Sequence, residues 1–224
     1  HHTTEDKDMR RRKPKKFKRR IWAVAVTSLL TVIVISLVLG YINQEPVYGF
    51  AREVSEREQQ LRLSLVQAAE SWLGSNEQDD SHRAIIDLYN QHEPLAQNYL
   101  VKYDDQWCAT FVSASAIKAG LTSIIPTECG CQRQIDLLKE LGAWEEADDY
   151  LPLPGDIIYY CRSNLDLTND CTAWSDHVGI VVGTSDNRIK VIEGNFGDKV
   201  DYRYLQANAM IIRGFGVPQY RKLY

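Results

Sequence analysis

Histidine is nearly absent after His92 and charge is missing from one long stretch, and both absences narrow what the chain can do. Five histidines occur in 224 residues, and only His177 follows His92. With the five cysteines they form no four-ligand spacing, which argues against a zinc site. No internal repeat is present, and no low-complexity segment beyond one basic run, so a repeat array is excluded. Residues 21–42, IWAVAVTSLLTVIVISLVLGYI, contain no charged residue and no polar stripe. As a helix this run would reach roughly 33 Å, against a bilayer hydrocarbon core of about 30 Å. It is long for the apolar region of a signal peptide, and Tyr41-Ile42-Asn43-Gln44-Glu45 offers no small-x-small cleavage site. The expectation is a transmembrane helix rather than a core helix or a cleaved leader.

What charge there is lies unevenly. Residues 1–20 hold ten Lys/Arg against three Asp/Glu, a net of +7. Residues 21–42 hold none, so residues 43–224 carry −11 of the formal total of −4. Nine of the eleven residues from Arg10 to Arg20 are basic, and they abut the apolar run. That position orients the N-terminus to the cytoplasm and suits contact with anionic lipid head groups. An acidic remainder is poorly suited to nucleic-acid binding, which relies on Lys and Arg. His1-His2 has the look of a tag remnant and Met9 of a start, so residues 1–8 are left out of fold reasoning. Hydrophobic residues at 44% predict a globular core.

After a break at Gln44–Phe50, residues 51–73 have helical character. Their first half, Arg52 to Glu58, reads as a charged stalk, and Leu61, Leu65, Ala68, Ala69 and Trp72 form an apolar face, with Gly74 as C-cap. Further helices are predicted around Ile85–Tyr89, over Trp107–Ala119 stopped by Gly120, and over Cys129–Leu141 stopped by Gly142. Strands follow at Asp156–Tyr160, His177–Val182, Ile189–Ile192 and Ile211–Gly216. Helices come first and strands last, so the class is α+β with an antiparallel sheet.

Cys108 opens the third predicted helix, where a helix N-terminus favours a thiolate. His177 heads an apolar strand, and Glu193 and Asn195 end the next. A thiol on a helix start, an imidazole on a strand and a carboxylate or amide on the next strand form the order of a papain-like cysteine hydrolase. Glu193 and Asn195 share a face by strand alternation, and either could accept the imidazole N–H. Asp176, adjacent to His177, points to the opposite face and is not the orienting group. His177 must therefore lie opposite Glu193 or Asn195, not opposite Gly194. The first register leaves Thr184-Ser185-Asp186 as the hairpin tip, and the second leaves Thr184–Arg188.

These blocks resemble the CHAP family of cysteine-, histidine-dependent amidohydrolases and peptidases. The resemblance runs from about Leu63 to Tyr220. It is carried by Val66–Gly74, Trp107-Cys108-Ala109-Thr110-Phe111-Val112-Ser113, Pro154-Gly155-Asp156-Ile157-Ile158-Tyr159-Tyr160, Asp176-His177-Val178-Gly179-Ile180-Val181 and Ile192-Glu193-Gly194-Asn195. It is nearest to the CHAP proteins of Gram-positive anaerobes, many of which carry a segment like Ile125–Cys131. The resemblance implies a papain-like fold with N-terminal helices packed on the sheet, and hydrolysis of peptide or amide bonds in peptidoglycan. It implies Cys108 as nucleophile, His177 as base, Glu193 as third member and Asn195 as a supporting fourth. Gln106 becomes a candidate oxyanion donor, although many relatives place Gln directly before the nucleophile, where this chain has Trp107. Some CHAP domains bind calcium near the nucleophile. Asp104 and Asp105 fall far short of the six to eight oxygen ligands calcium takes, so no cofactor is expected. The related NlpC/P60 class has Asp-Cys-Ser-Gly at its nucleophile, which is absent here. A membrane-tethered wall-binding module with an idle site is the non-enzymatic alternative.

The organisation expected is thus a basic cytoplasmic tail (1–20), a transmembrane helix (21–42), a juxtamembrane stalk (43–60) and a CHAP-like catalytic domain (61–224). That puts the catalytic domain outside the cell, against peptidoglycan. No second wall-binding module is visible. Whether the enzyme would be an endopeptidase or an amidase stays open. So does the state of Cys161 and Cys171, which an outside location would allow to pair. Cys129 and Cys131 are too close for an easy bridge and are expected to line the site entrance.

Overall fold

Ser55 starts the first helix by accepting a hydrogen bond from the Glu58 amide at 3.2 Å, with Glu56 and Glu58 in the first turn to complement the dipole. The computed structural model describes residues 48–161, 171 and 174–224, together with Thr31 and Val34. Among the described residues four α-helices are followed by six strands. The helices are α1 (Glu56–Glu70), α2 (Arg83–Asn90), α3 (Cys108–Ala119) and α4 (Cys131–Glu140). The strands are β1 (Trp144–Glu145), β2 (Ile157–Tyr160), β3 (His177–Ser185), β4 (Arg188–Glu193), β5 (Asp201–Gln206) and β6 (Ile212–Gly216). They form one antiparallel sheet in the order β1-β6-β2-β3-β4-β5. The α+β class and the antiparallel sheet are those expected from the sequence. No described helix is long and apolar enough to cross a membrane. The run 21–42, where a spanning helix is expected, and the tail 1–20 lie outside the described residues apart from Thr31 and Val34.

Helix α3 is central, packed against α1, α2 and β3. The main core fills the space between helices and sheet, with Leu65, Ile85, Phe111, Val112, Ile135, Tyr159, Val178, Ile180 and Ile192 buried in it. A smaller core of Ile158, Tyr160, Val181, Ile189, Val191 and Phe215 covers the other face. The alternation of these two sets along β2, β3 and β4 is the period-2 pattern of a sheet buried on both sides.

Several boundaries differ from the sequence reading. Helix α1 ends at Glu70 with Ser71 as its cap, and Gly74 instead lies in the turn beyond it, donating its N–H to Val200 O. Strands β1 and β5 are short or polar and were not expected. Where it is described, the segment read as a stalk is mostly exposed, but it meets the domain at Gly49 and Glu58. Gly49 bridges to Thr184, and Glu58 is buried, bonded to Arg62 at 2.8 Å and Arg221 at 3.0 Å. Charge alone suggested a solvated face; the pairing with two arginines is what allows the carboxylate inside.

The β3–β4 hairpin also corrects an expectation. Ser185 pairs with Arg188, so the tip is Asp186-Asn187, and Thr184 and Arg188 belong to the strands. Both tip residues have positive φ, 47° and 62°, a conformation Asp and Asn tolerate and a two-residue hairpin turn requires. The register then shifts between Val181 and Gly183, a bulge at Val182 that absorbs one extra residue in β3. Beyond the bulge Ile180 pairs with Ile192, and Gly179 lies close beside Glu193.

Arg62 ties α1 to the start of β2. Its guanidinium meets Asp156 at 2.7 Å and Pro154 O at 3.2 Å, and it stacks over the Tyr220 ring at 4.6 Å. The Arg62 and Asp156 side chains are 3% and 0% exposed, so neither charge has water to fall back on. Arg62→Met should therefore lower the unfolding free energy by about 3–5 kcal/mol, the usual effect of orphaning a buried charge. Urea denaturation would check this; a change below about 0.5 kcal/mol would show that the pair is not a structural tie.

Candidate active site

Cys108 is the first residue of α3, and the N-cap residue Trp107 makes no side-chain cap hydrogen bond. The amides at such a helix start have no intrahelical acceptor, so their positive ends remain for a thiolate or a substrate oxygen. Trp107 is fully buried, its indole N–H donating to Glu77 at 2.8 Å and its ring packed on His82 at 5.6 Å. It anchors the helix start from behind. Asp105 closes the preceding loop by accepting from Tyr99 Oη at 2.7 Å and the Lys102 amide at 2.8 Å. Among the described residues no group of three or more His, Cys, Asp or Glu could hold a metal ion.

His177 begins β3, paired with Tyr160 of β2, whose ring stacks on the imidazole at 5.8 Å. Its Nε2 lies 2.9 Å from Glu193 Oε2. The diagonal reach from His177 to Glu193 crosses Gly179, where a Cβ would stand 2.7 Å from Glu193 Cγ. Only a glycine leaves room for the carboxylate to approach the ring. The other carboxylate oxygen, Oε1, accepts from Arg203 Nε of β5 at 2.6 Å. Glu193 is fully buried, and each of its oxygens has one cationic partner.

Gly194 serves the other close approach. A Cβ there would fall 2.4 Å from Phe111 Cβ and 2.9 Å from Trp107 Cζ3. The end of β4 can thus press against the first turn of α3. Asn195 follows with φ of 55° and donates from Nδ2 to Gln106 Oε1 at 3.1 Å. Of the two candidates for orienting the imidazole, Glu193 holds the ring and Asn195 holds Gln106. With its amide oxygen engaged, Gln106 keeps its NH2 group for donation.

Two residues of the site escaped the sequence reading. Arg203 lies on a strand not expected, although the alternation Tyr202-Arg203-Tyr204-Leu205 was a usable signal. Cys131, expected only at the entrance, places its Sγ 3.6 Å from Cys108 Sγ. Cys161 and Cys171, left open before, form a disulfide with Cα atoms 5.8 Å apart.

The electrostatics follow from these contacts. The hydrogen bond from Cys131 holds the Cys108 thiol well below its usual range. Burial opposes this, while His177 and the Ala109 amide add to the lowering. Burial alone would drive His177 neutral, but its bonds to Cys108 and Glu193 and their negative charge raise it to about 9. Glu193 stays below the usual carboxylate range because His177 and Arg203 outweigh its burial. Cys131 is pushed well above the usual thiol range by its bond to Cys108 and by burial. Both shifts favour a thiolate–imidazolium pair over the neutral thiol and imidazole. Iodoacetamide at pH 6 should accordingly alkylate Cys108 before Cys129 or Cys131, and His177→Ala should slow that reaction at pH 6. Peptide mapping would read both; first labelling at Cys129 or Cys131 would contradict the charge assignment.

No curated protein matches the chain. A solved structure described as "The crystal structure of Ly7917" aligns at 15% identity and a TM-score of 0.32, over 50% of this chain and 53% of that one. The alignment thus spans about half of that protein, and a likeness of this size supports no statement about fold or function. The CHAP domain family model matches residues 98–195, a range that includes Cys108, Cys131, His177, Glu193 and Asn195. The match spans 98 of the chain's 224 residues.

Proposed function

We propose that this chain is a peptidoglycan hydrolase that cuts a peptide or amide bond through a cysteinyl acyl-enzyme, and that residues 21–42 hold it at the outer face of a membrane. The observation that carries the reading is the 2.9 Å bond from His177 Nε2 to Glu193, on an imidazole that also interacts with the helix-start thiol of Cys108. With Nε2 engaged, Nδ1 is the nitrogen left to serve Cys108. Cys108 Sγ attacks the carbonyl carbon. The Cys108 amide and the Gln106 NH2 group stabilise the oxygen that gains charge. The imidazolium gives its proton to the leaving amine, then takes one from the water that hydrolyses the thioester. Glu193 keeps the ring in place and favours its charged form, and Arg203 keeps Glu193 ionised. The apolar run with its flanking basic residues supports the anchor, with the N-terminus cytoplasmic and the domain outside.

Mass spectrometry of muropeptides released by the full chain in detergent tests the reaction and separates endopeptidase from amidase products. Cys108→Ala and His177→Ala should each lower the rate by about a thousandfold or more, because the two act as one unit. Glu193→Gln should lose less. A Cys108→Ala variant near the wild-type rate would end the proposal. The anchor predicts that the chain stays with membranes after a high-salt wash, whereas a purely electrostatic attachment would be released.

The pH dependence has a definite sign. The working pair exists above the depressed pKa of Cys108 and below that of His177, about 9. Activity should be level through neutral pH and fall as pH rises through about 9, where the general acid is lost. Glu193→Gln should move that alkaline limb downward, since the carboxylate helps to raise His177. A kcat/KM profile with no alkaline limb up to pH 10 would count against a histidine acid.

A further inference from the structure

Two helix starts meet at the nucleophile. Cys108 opens α3 and Cys131 opens α4, and their sulfurs are 3.6 Å apart. The meeting is built rather than incidental. The Ser113 hydroxyl, on α3, donates to Glu128 O at 2.7 Å and accepts from Glu128 N at 2.9 Å. Gln134, on α4, donates to Pro126 O at 2.8 Å and accepts from Tyr159 Oη of β2 at 2.9 Å. The buried Glu128 carboxylate takes the Cys129 amide at 2.8 Å and the Gly130 amide at 3.3 Å. These bonds fix residues 126–131 against α3 and hold Cys131 over Cys108. Cys129, two residues earlier, turns instead toward Glu128, its Sγ 3.6 Å from Oε1.

We propose that Cys131 is a resolving thiol, and that it and Cys108 form a reversible disulfide that shuts and protects the active site under oxidation by a hydroperoxide. The Cys108 thiolate attacks one peroxide oxygen. An S–O bond forms, the O–O bond breaks, and the hydroxide released takes the His177 proton to become water. Cys131 sulfur then attacks the Cys108 sulfenic acid. An S–S bond forms, the S–O bond breaks, and the leaving hydroxide takes the Cys131 proton as a second water. The net change is two thiols and one hydrogen peroxide to one disulfide and two waters. A disulfide needs its sulfurs at about 2.0 Å, so the pair must close by about 1.6 Å, within reach of small side-chain rotations. Without Cys131 the sulfenic acid has no thiol beside it and proceeds to the sulfinic and sulfonic acids, which thiols do not reduce. The same chain also carries a Cys161–Cys171 disulfide, and the location outside the membrane proposed above is one that permits oxidation.

The inference rests on the hydrolase reading for its effect on activity, but its chemistry can be read without a substrate. The full chain, and its Cys131→Ser, Cys131→Ala and Cys129→Ser variants, would be treated with hydrogen peroxide, mapped by mass spectrometry, then treated with dithiothreitol and assayed on peptidoglycan. Wild type and Cys129→Ser should yield a Cys108–Cys131 cross-linked peptide, and dithiothreitol should raise their activity by about tenfold or more. Both Cys131 variants should instead show two or three added oxygens on Cys108 and no recovery. Over-oxidation of Cys108 in wild type as in the variants, or a link to Cys129, would overturn the proposal. A cross-link that forms in a chain whose reduced state cuts no peptidoglycan would leave the disulfide standing and remove the hydrolase reading.

Discussion

The buried Glu193 carboxylate is the constraint around which the site is arranged. A carboxylate with no exposure to water is tolerated only when its charge is compensated at hydrogen-bond distance. Here the compensation comes from both sides, His177 on β3 and Arg203 on β5, each taking one oxygen. Neither partner is close in sequence, so the charge balance depends on the sheet order β3-β4-β5. The bulge at Val182 matters for the same reason. It separates the register of the hairpin tip from that of the site end, so the turn can keep its two-residue geometry while Gly179 still lies close beside Glu193.

The thiolate is the second half of the same balance. Burial disfavours a charged sulfur, and the chain offsets that with the uncapped start of α3, the Cys131 proton and the imidazolium. Each charge favours the next: Arg203 helps to lower Glu193, Glu193 helps to raise His177, and His177, after Cys131, lowers Cys108. Such a chain is cooperative in a low-dielectric setting, and its members titrate together rather than singly. The glycines that permit it, Gly179 and Gly194, hold no charge themselves. They let β4 approach both β3 and the nucleophile helix closely enough for the chain to close.

The neighbouring thiol adds a tension. A proton donated by Cys131 helps keep Cys108 ionised, and an ionised thiol is also the more readily oxidised. The fold places the group that activates the nucleophile where it can also capture its first oxidation product. A hydroxyl in that position could donate a hydrogen bond but could not form the bridge.

Much of this was legible in the residues. The α+β order followed from helical periodicity giving way to short alternating strands. Helices α3 and α4 lie within the helices expected over Trp107–Ala119 and Cys129–Leu141, stopped by Gly120 and Gly142. Cys108, His177 and Glu193 stood out because a nucleophile, a base and an orienting acid must occupy a helix start and two strands in that order. Local rules served where the physics was local. They failed for β5, where Tyr202, Arg203 and Tyr204 read as polar surface, and for Glu58, whose burial depends on Arg62 and on the distant Arg221. The sequence by itself pointed to the candidate site residues, because residue types and their order on helix and strand are local properties. Only the tertiary structure decided that Asn195 holds Gln106, that Arg203 secures Glu193, and that Cys131 rather than Cys129 meets Cys108. Those choices turn on register and on which side chains converge across distant segments, and no local pattern encodes a distance between them.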